Sequence, residues 1–182
     1  MILETERLLM KSPDITEAEA VCEYYLRNRS FLEQFDPRQE EEFFTVDVQR
    51  KLLWIQEELW EDDMSYRFYI FTKDSEEKLI GLIALNNIMR GPFLSCFLGY
   101  KLDKDHCRKG YMTEAVKRMV QFAFEDLNLH RIEGNIMPRN KASIRVVEKN
   151  GFKKEGISKK YLKINGVWED HLHYVKLNPA LE

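Results

Sequence analysis

The chain has 182 residues with a formal net charge of −3, 44% hydrophobic and 32% charged. That length suffices for one domain with a sizeable core, and the composition is that of a globular protein. The slight negative charge argues against a broad nucleic-acid surface.

In chain order, Leu8-Leu9-Met10 predicts a first strand. Thr16 to Arg27 is helical in pattern, with Ala18, Val21, Tyr24 and Tyr25 inward. Phe31 to Phe44 is acidic and aromatic without a clear period, and Asp47 to Glu61 is an amphipathic helix carrying Leu52, Leu53, Ile55, Leu59 and Trp60. Tyr66 to Thr72 alternates and is rich in aromatics, as strands are. The turn Lys73–Glu77 leads to a strand at Leu79–Leu85, Arg90-Gly91-Pro92 punctuates, and Phe93 to Leu102 is a third strand of the run. A helix follows to about Leu127, then a strand from Arg131 to Met137 and a helix from Pro138-Arg139-Asn140 to Asn150, stopped by Gly151. Phe152–Leu162 and Trp168–Leu177 are strands of a hairpin around Asn165-Gly166. The order predicts an α+β fold with a mixed sheet rather than a doubly wound one.

No repeat, low-complexity tract or Gly/Ser linker divides the chain, so residues 1–182 read as one domain. Cys22, Cys96 and Cys107 form neither a disulfide framework nor a C-x-x-C pair, and His106-Cys107 has no second ligand pair, so no metal is expected. The acidic start lacks an apolar signal core, and no run reaches membrane-spanning length. The expectation is a reduced cytoplasmic protein with no membrane or nucleic-acid partner.

Cys107-Arg108-Lys109-Gly110-Tyr111-Met112-Thr113-Glu114 lies between a strand and a helix in which Ala115, Val116, Met119, Val120, Ala123, Phe124 and Leu127 recur at helical spacing. Free N–H groups at a helix start attract anions, and Gly110 lets the backbone approach closely. A phosphate-bearing cofactor is one reading; an ordinary helix start with solvated basic residues is the other. No G-K-[ST] is present, which excludes a P-loop.

Longer matches decide between them. Gly110-Tyr111-Met112-Thr113-Glu114-Ala115-Val116, Leu129-His130-Arg131-Ile132-Glu133 and Pro138-x-Asn140-x-x-Ser143-x-x-x-x-Glu148-Lys149-x-Gly151-Phe152 resemble blocks of the GNAT superfamily of N-acetyltransferases, in its ribosomal-protein N-alpha-acetyltransferase branch (RimJ and RimL). Asn87–Gly91, Cys96–Tyr100 and the Tyr161–His171 segment resemble the RimJ type. The family's short cofactor motif matches only at Gly110. Cys107 replaces a Gln or Arg, and Met112 replaces a Gly or Ala.

The resemblance implies a twisted, mostly antiparallel mixed sheet flanked by helices. It also implies direct transfer of an acetyl group from acetyl-CoA to a primary amine in a ternary complex. The acceptor it implies is the α-amino group of a protein N-terminus, such as that of a ribosomal protein. A small-molecule amine or antibiotic acetyltransferase and a non-catalytic CoA-binding or ribosome-assembly module are the alternatives. It places the pantetheine arm along Leu98, Gly99, Tyr100, Lys101 and Leu102, and the pyrophosphate on the backbone of Cys107, Arg108, Lys109, Gly110, Tyr111, Met112 and Thr113. It places Asn140 on the pantetheine and Ser143 at the sulfur as donor to the departing thiolate; Asn140 reads equally as a helix N-cap. Candidate bases are His171, Asp170, Glu133, Tyr66 or water. His171 is attractive because histidine as a residue type titrates near neutrality, and a structural His beside Asp170 is its other reading.

Overall fold

A computed structural model describes residues 1–182. Its strands are β1 (Ile2–Glu4), β2 (Leu8–Lys11), β3 (Ser65–Thr72), β4 (Ser75–Met89), β5 (Ser95–Leu102), β6 (Arg131–Ile136), β7 (Lys153–Ile164) and β8 (Val167–Leu177), and its helices are α1 (Ala18–Leu32), α2 (Val46–Glu61), α3 (Tyr111–Gln121) and α4 (Lys141–Lys149). The eight strands form one sheet in the order β1-β2-β3-β4-β5-β6-β8-β7. Only β5 and β6 are parallel. No helix is long and apolar enough to cross a membrane, and no group of three or more His, Cys, Asp or Glu side chains converges as metal ligands would.

The α+β architecture is the expected one, with local differences of evident cause. The short β1 exists because Leu3 finds a partner in Met10 on β2 and is buried. β4 extends past both predicted ends: a two-residue turn at Lys73-Asp74 brings Ser75 opposite Thr72, and exposed Glu76, Glu77 and Lys78 bulge between the paired Ser75 and Leu79. The helix begun by α3 continues through a π turn at Phe122–Asp126. Asn165 and Gly166, both at positive φ (49° and 86°), make the two-residue turn between Ile164 and Val167, the geometry that the Asn-Gly pair favours.

Helices cover the sheet unevenly. α3 and α4 pack one face through a 26-residue buried cluster that includes Phe68, Ile83, Met112, Val116, Met119, Ile132 and Val147. On the other face α1 and α2 bury Ala18, Val21, Tyr24 and Leu53 against Tyr69, Phe71, Leu79 and Leu82 of β3 and β4. The β6-β8-β7 half of that face has no such cover and carries a polar set: Glu133, Asn135, Tyr161, His171 and His173.

Candidate active site

The parallel pair breaks where a cofactor would need it to. β6 bonds to β5 only through Ser95, Cys96 and Phe97, opposite Arg131, Ile132 and Glu133. β5 nevertheless runs on to Leu102, paired with β4 throughout. Backbone groups alternate sides along a strand. The Leu94 carbonyl accepts from Arg131 N–H on the β6 side (3.0 Å), and Asp103 N–H donates to the Ile80 carbonyl on the β4 side (2.7 Å). Between these fixed ends, alternation turns the main chain of Leu98, Tyr100 and Leu102 into the gap and that of Gly99 and Lys101 toward β4. The open edge can add a further extended chain by main-chain hydrogen bonds.

The loop after β5 turns sharply, with Arg108 (φ 64°) and Gly110 (φ 84°) both left-handed. Gly110 is the N-cap of α3 and offers no side-chain cap. The first bond of the helix runs from Glu114 N–H to the Gly110 carbonyl, so the N–H groups of Tyr111, Met112 and Thr113 have no intrahelical partner. Arg108 and Lys109 are exposed beside them. A pyrophosphate fits this cradle, since the donors are backbone groups and the charge is solvated. Neither departure from the short motif obstructs it. Met112 points into the core at 5% exposure. Cys107 turns its thiol back on the Asp103 carbonyl, and burial pushes that thiol's pKa up.

Two carboxylates brace this loop. Glu114 receives the Thr5 hydroxyl, the Arg7 N–H and the Arg7 guanidinium. Burial works against its charge, and these hydrogen bonds outweigh it, so the carboxyl stays below its usual range. The fully buried Asp103 receives Arg27 Nε (2.8 Å), Asn28 Nδ2 (3.1 Å) and the Asp105 N–H (2.9 Å), with His106 Nδ1 at 3.1 Å.

Across the gap, α4 starts at Asn140, whose Oδ1 accepts from Ser143 N–H at 3.2 Å. Asn140 is thus the N-cap, and its Nδ2 is left over for a ligand. Tyr100 Oη donates to the Ser143 carbonyl at 2.9 Å, tying β5 to the first turn of α4. Burial pushes the Tyr100 phenol up, which keeps it a donor. Both backbone groups of Ser143 are engaged, and its half-buried hydroxyl makes no hydrogen bond.

The candidate bases separate by their partners. Tyr66 lies on the α3 face, against Trp60 and Phe122. Burial and its hydrogen bond to Asp63 push its pKa up to about 12, so it is not placed to act at the gap. Glu133 faces the uncovered side but is held by Arg131 Nε at 2.7 Å. Asp170 points away from His171 to cap a bulge in β7, accepting from Lys159 Nζ and the Lys160 N–H at 2.9 Å each, and the lysine hydrogen bond lowers its pKa. His171 Nδ1 sits 3.1 Å from the Glu169 carbonyl. A carbonyl only accepts, so Nδ1 carries the proton, and Nε2 of the neutral ring keeps its lone pair. The β7 bulge re-aims Tyr161 over His171 and His173, with centroids at 5.4 and 5.3 Å.

A strap closes the acceptor side. Residues 33–38, after α1, are held from three directions. Asn165 at the hairpin tip donates to the Glu33 carbonyl (3.0 Å) and accepts from Arg38 N–H (2.7 Å). Arg139 donates to the Gln34 carbonyl (2.6 Å), and Lys101 pairs with Asp36 (2.8 Å). These anchors come from the β7–β8 turn, the start of α4 and the end of β5. The structure therefore brings Leu98–Leu102, Cys107–Thr113, Asn140, Ser143 and His171 around one splay. Arg67, Asn86, Asn135, Tyr161 and Arg139 also face it and went unrecognised in the sequence. For Asn135 a signal existed: Ile132, Gly134 and Ile136 alternate into the core, which puts Glu133 and Asn135 together on the other face.

Known proteins resemble this chain in sequence and in fold. The acetyltransferase (GNAT) domain family matches residues 7–153. The chain is 46% identical over 178 residues to a probable N-acetyltransferase, YjcK, of Bacillus subtilis (strain 168), covering 98% of both. It is 33% identical over 170 residues to the [ribosomal protein uS5]-alanine N-acetyltransferase of Escherichia coli (strain K12), covering 93% of this chain and 87% of that one. The crystal structure of ribosomal-protein-S5-alanine acetyltransferase from Vibrio fischeri superposes with a TM-score of 0.94 at 35% identity, covering 100% of this chain and 99% of that chain. Mycobacterium smegmatis RimJ in complex with CoA-disulfide shares the fold, with a TM-score of 0.89 at 24% identity over 96% of this chain and 83% of that one.

Proposed function

Because the chain belongs to the acetyltransferase (GNAT) domain family and is an N-acetyltransferase that takes its acetyl group from acetyl-CoA, we propose that its acceptor is the α-amino group of a protein N-terminus, that of a ribosomal protein in particular. The observation that carries this reading is the full-length similarity to S5-alanine acetyltransferases, joined to a splay roofed by the 33–38 strap. An extended N-terminal segment suits such a channel. An α-amine has a pKa near 7.7–8.0, so part of it is already neutral at cellular pH and needs only a modest base.

In the proposed ternary complex the β5 edge at Leu98, Tyr100 and Leu102 holds the pantetheine amides, and the α3 start holds the pyrophosphate. A main-chain N–H at the gap polarises the thioester carbonyl. The amine nitrogen attacks the carbonyl carbon, and His171 Nε2 takes the proton that the amine sheds. The C–S bond then breaks, and Ser143 Oγ–H stabilises the departing thiolate. When bound, acetyl-CoA supplies the activated acyl group.

The test is acetyl-CoA with short peptides bearing a free α-amine, read by thiol release and peptide mass. Acetylation at the α-amine is expected, with none on aminoglycosides. Exclusive turnover of small amines would favour the antibiotic-type reading. CoA binding with no turnover of any amine would leave only a non-catalytic module.

A His171→Gln variant tests the base. The variant is expected to lose roughly 10²-fold in kcat at pH 7 with the acetyl-CoA KM unchanged. Full turnover in the variant removes His171 from the role and leaves water.

A further inference from the structure

Almost every buried side-chain polar atom in this protein has a partner. The exceptions are Tyr24 Oη, Arg67 Nε and Asn135 Oδ1. Tyr24 is sealed in the layer under α1. The other two share the partly uncovered face of the sheet, and strand register puts them in a single row. Arg67 on β3 lies opposite Ala84 on β4, and Ala84 lies opposite Gly99 on β5. Phe97 is the last β5 residue paired to β6, opposite Glu133. Carried two residues further, that register sets Gly99 across the splay from Asn135.

The row therefore runs Arg67, Ala84, Gly99, gap, Asn135. Its middle positions carry a methyl group and no side chain at all, so they floor a trough between the two unsatisfied groups. The space above Gly99 is bounded only by Asn86 Nδ2, 3.5 Å from where a Cβ would stand. At about 4.8 Å per strand, the Cα atoms of Arg67 and Asn135 stand at least about 14 Å apart. The long arginine side chain and two or three extended acceptor residues, at about 3.3 Å each, span that distance.

The chemistry of the two ends is complementary. The guanidinium of Arg67 is half-buried, its Nε has no partner, and it forms no ion pair; the Tyr69 hydroxyl is its polar neighbour in the protein. Every other arginine facing the splay has an acid: Arg139 has Glu169, and Arg131 has Glu133 and Glu155. A partly buried cation kept without a counter-charge favours an anionic ligand, and a guanidinium matches a carboxylate. At the far end, the Asn135 carbonyl oxygen can only accept, which suits an amine N–H; its Nδ2 lies 3.4 Å from Tyr161 Oη.

We propose that Asn135 Oδ1 receives an N–H of the acceptor's α-amine beside the splay, while Arg67 binds a carboxylate one or two residues further along the same acceptor. The preferred substrate is then an N-terminus with an acidic side chain among its first residues. This specificity rests on the N-terminal acceptor reading and narrows it.

Paired peptides that differ only in Glu against Gln near the free α-amine test it. The wild type favours the Glu peptide by at least about tenfold in kcat/KM, as a charged hydrogen bond allows. Arg67→Gln brings that ratio to near one, and Arg67→Lys keeps part of it. The ratio is internal to each variant, so partial loss of folded protein cancels. Asn135→Leu raises the acceptor KM for both peptides and leaves the acetyl-CoA KM in place, a split that a packing defect would not produce. Peptide acetylation without acid preference, or a preference that survives in Arg67→Gln, overturns this proposal and leaves the N-terminal reading intact. Turnover confined to small carboxylate-bearing amines, lost in Arg67→Gln, overturns the N-terminal reading and keeps the Arg67 contact.

Discussion

Replacing Asp103 by alanine will destabilise the protein by about 3–5 kcal/mol, because it leaves Arg27 with only the exposed Glu23 as counter-charge and takes the acceptor from Asn28 and the Asp105 N–H. The carboxylate is fully buried and takes Arg27, Asn28, the Asp105 N–H and His106 together. Arg27 also donates to the Leu79 carbonyl, and Asn28 receives the Lys104 N–H, so α1, β4 and the root of the cofactor loop meet at this group. For a chain of this length the loss amounts to a fall in Tm of about 10 °C. Asp103→Asn, which keeps an acceptor but not the charge, falls between. Since the loop before α3 hangs from Asp103, the KM for acetyl-CoA rises in both variants.

The pH dependence of that loss has a definite sign. Burial raises the Asp103 pKa, and the hydrogen bonds from Asn28, Arg27, His106 and the Asp105 N–H outweigh it, so the folded-state value lies well below the usual carboxylate range. A carboxyl depressed in the folded state stabilises it fully above the unfolded pKa and loses that contribution as pH falls through the folded pKa. The gap between wild type and Asp103→Asn is therefore flat from neutral pH down to about 5 and narrows only below about 4. Denaturant unfolding across pH checks this. A gap that closes between pH 7 and 5 would mean that another group controls it.

Ser143→Ala will lower kcat by about 10²-fold with little change in the KM for acetyl-CoA, the magnitude typical of losing one donor to developing negative charge. The substitution is a clean one here. The structural contacts of Ser143 are both main-chain: its N–H to Asn140 and its carbonyl from Tyr100. Only the hydroxyl is removed, and it has no partner in the protein. Val147 stands four residues on and is buried, so no second hydroxyl on that helix face can substitute. Full turnover in Ser143→Ala would show that water protonates the thiolate. Tyr100→Phe separates positioning from chemistry: it loosens the α4 start, raises the acetyl-CoA KM, and spares the Ser143 hydroxyl.

Legibility in the sequence followed locality. Helical period placed Ala115, Val116, Met119 and Val120 inward, and Asn165-Gly166 fixed its turn, because a few adjacent residues settle each of these. Gly110 marked a helix start open to close approach for the same reason, and the structure adds its left-handed backbone. The motif blocks from Asn87 onward carried the acetyltransferase reading, and the family match agrees with it.

What the tertiary structure decided is where pairing stops and what then stands side by side. That β6 leaves β5 after Phe97 depends on twist and on α4 packing behind β6, neither of which a window of sequence contains. The row from Arg67 through Ala84 and Gly99 to Asn135 joins residues far apart in the chain, and a one-residue slip in any register would turn it to the other face. The candidate bases differ in their partners, Arg131 for Glu133, Lys159 for Asp170 and the Glu169 carbonyl for His171, and although two of these lie only two residues away, the side-chain geometry that pairs them is set by the folded strands. The sequence thus determined the chemistry class through motif blocks that resemble the family's, each read over a few adjacent residues. Only long-range register decided which side chains stand together beside the splay, because it sets the neighbours that composition and periodicity leave open.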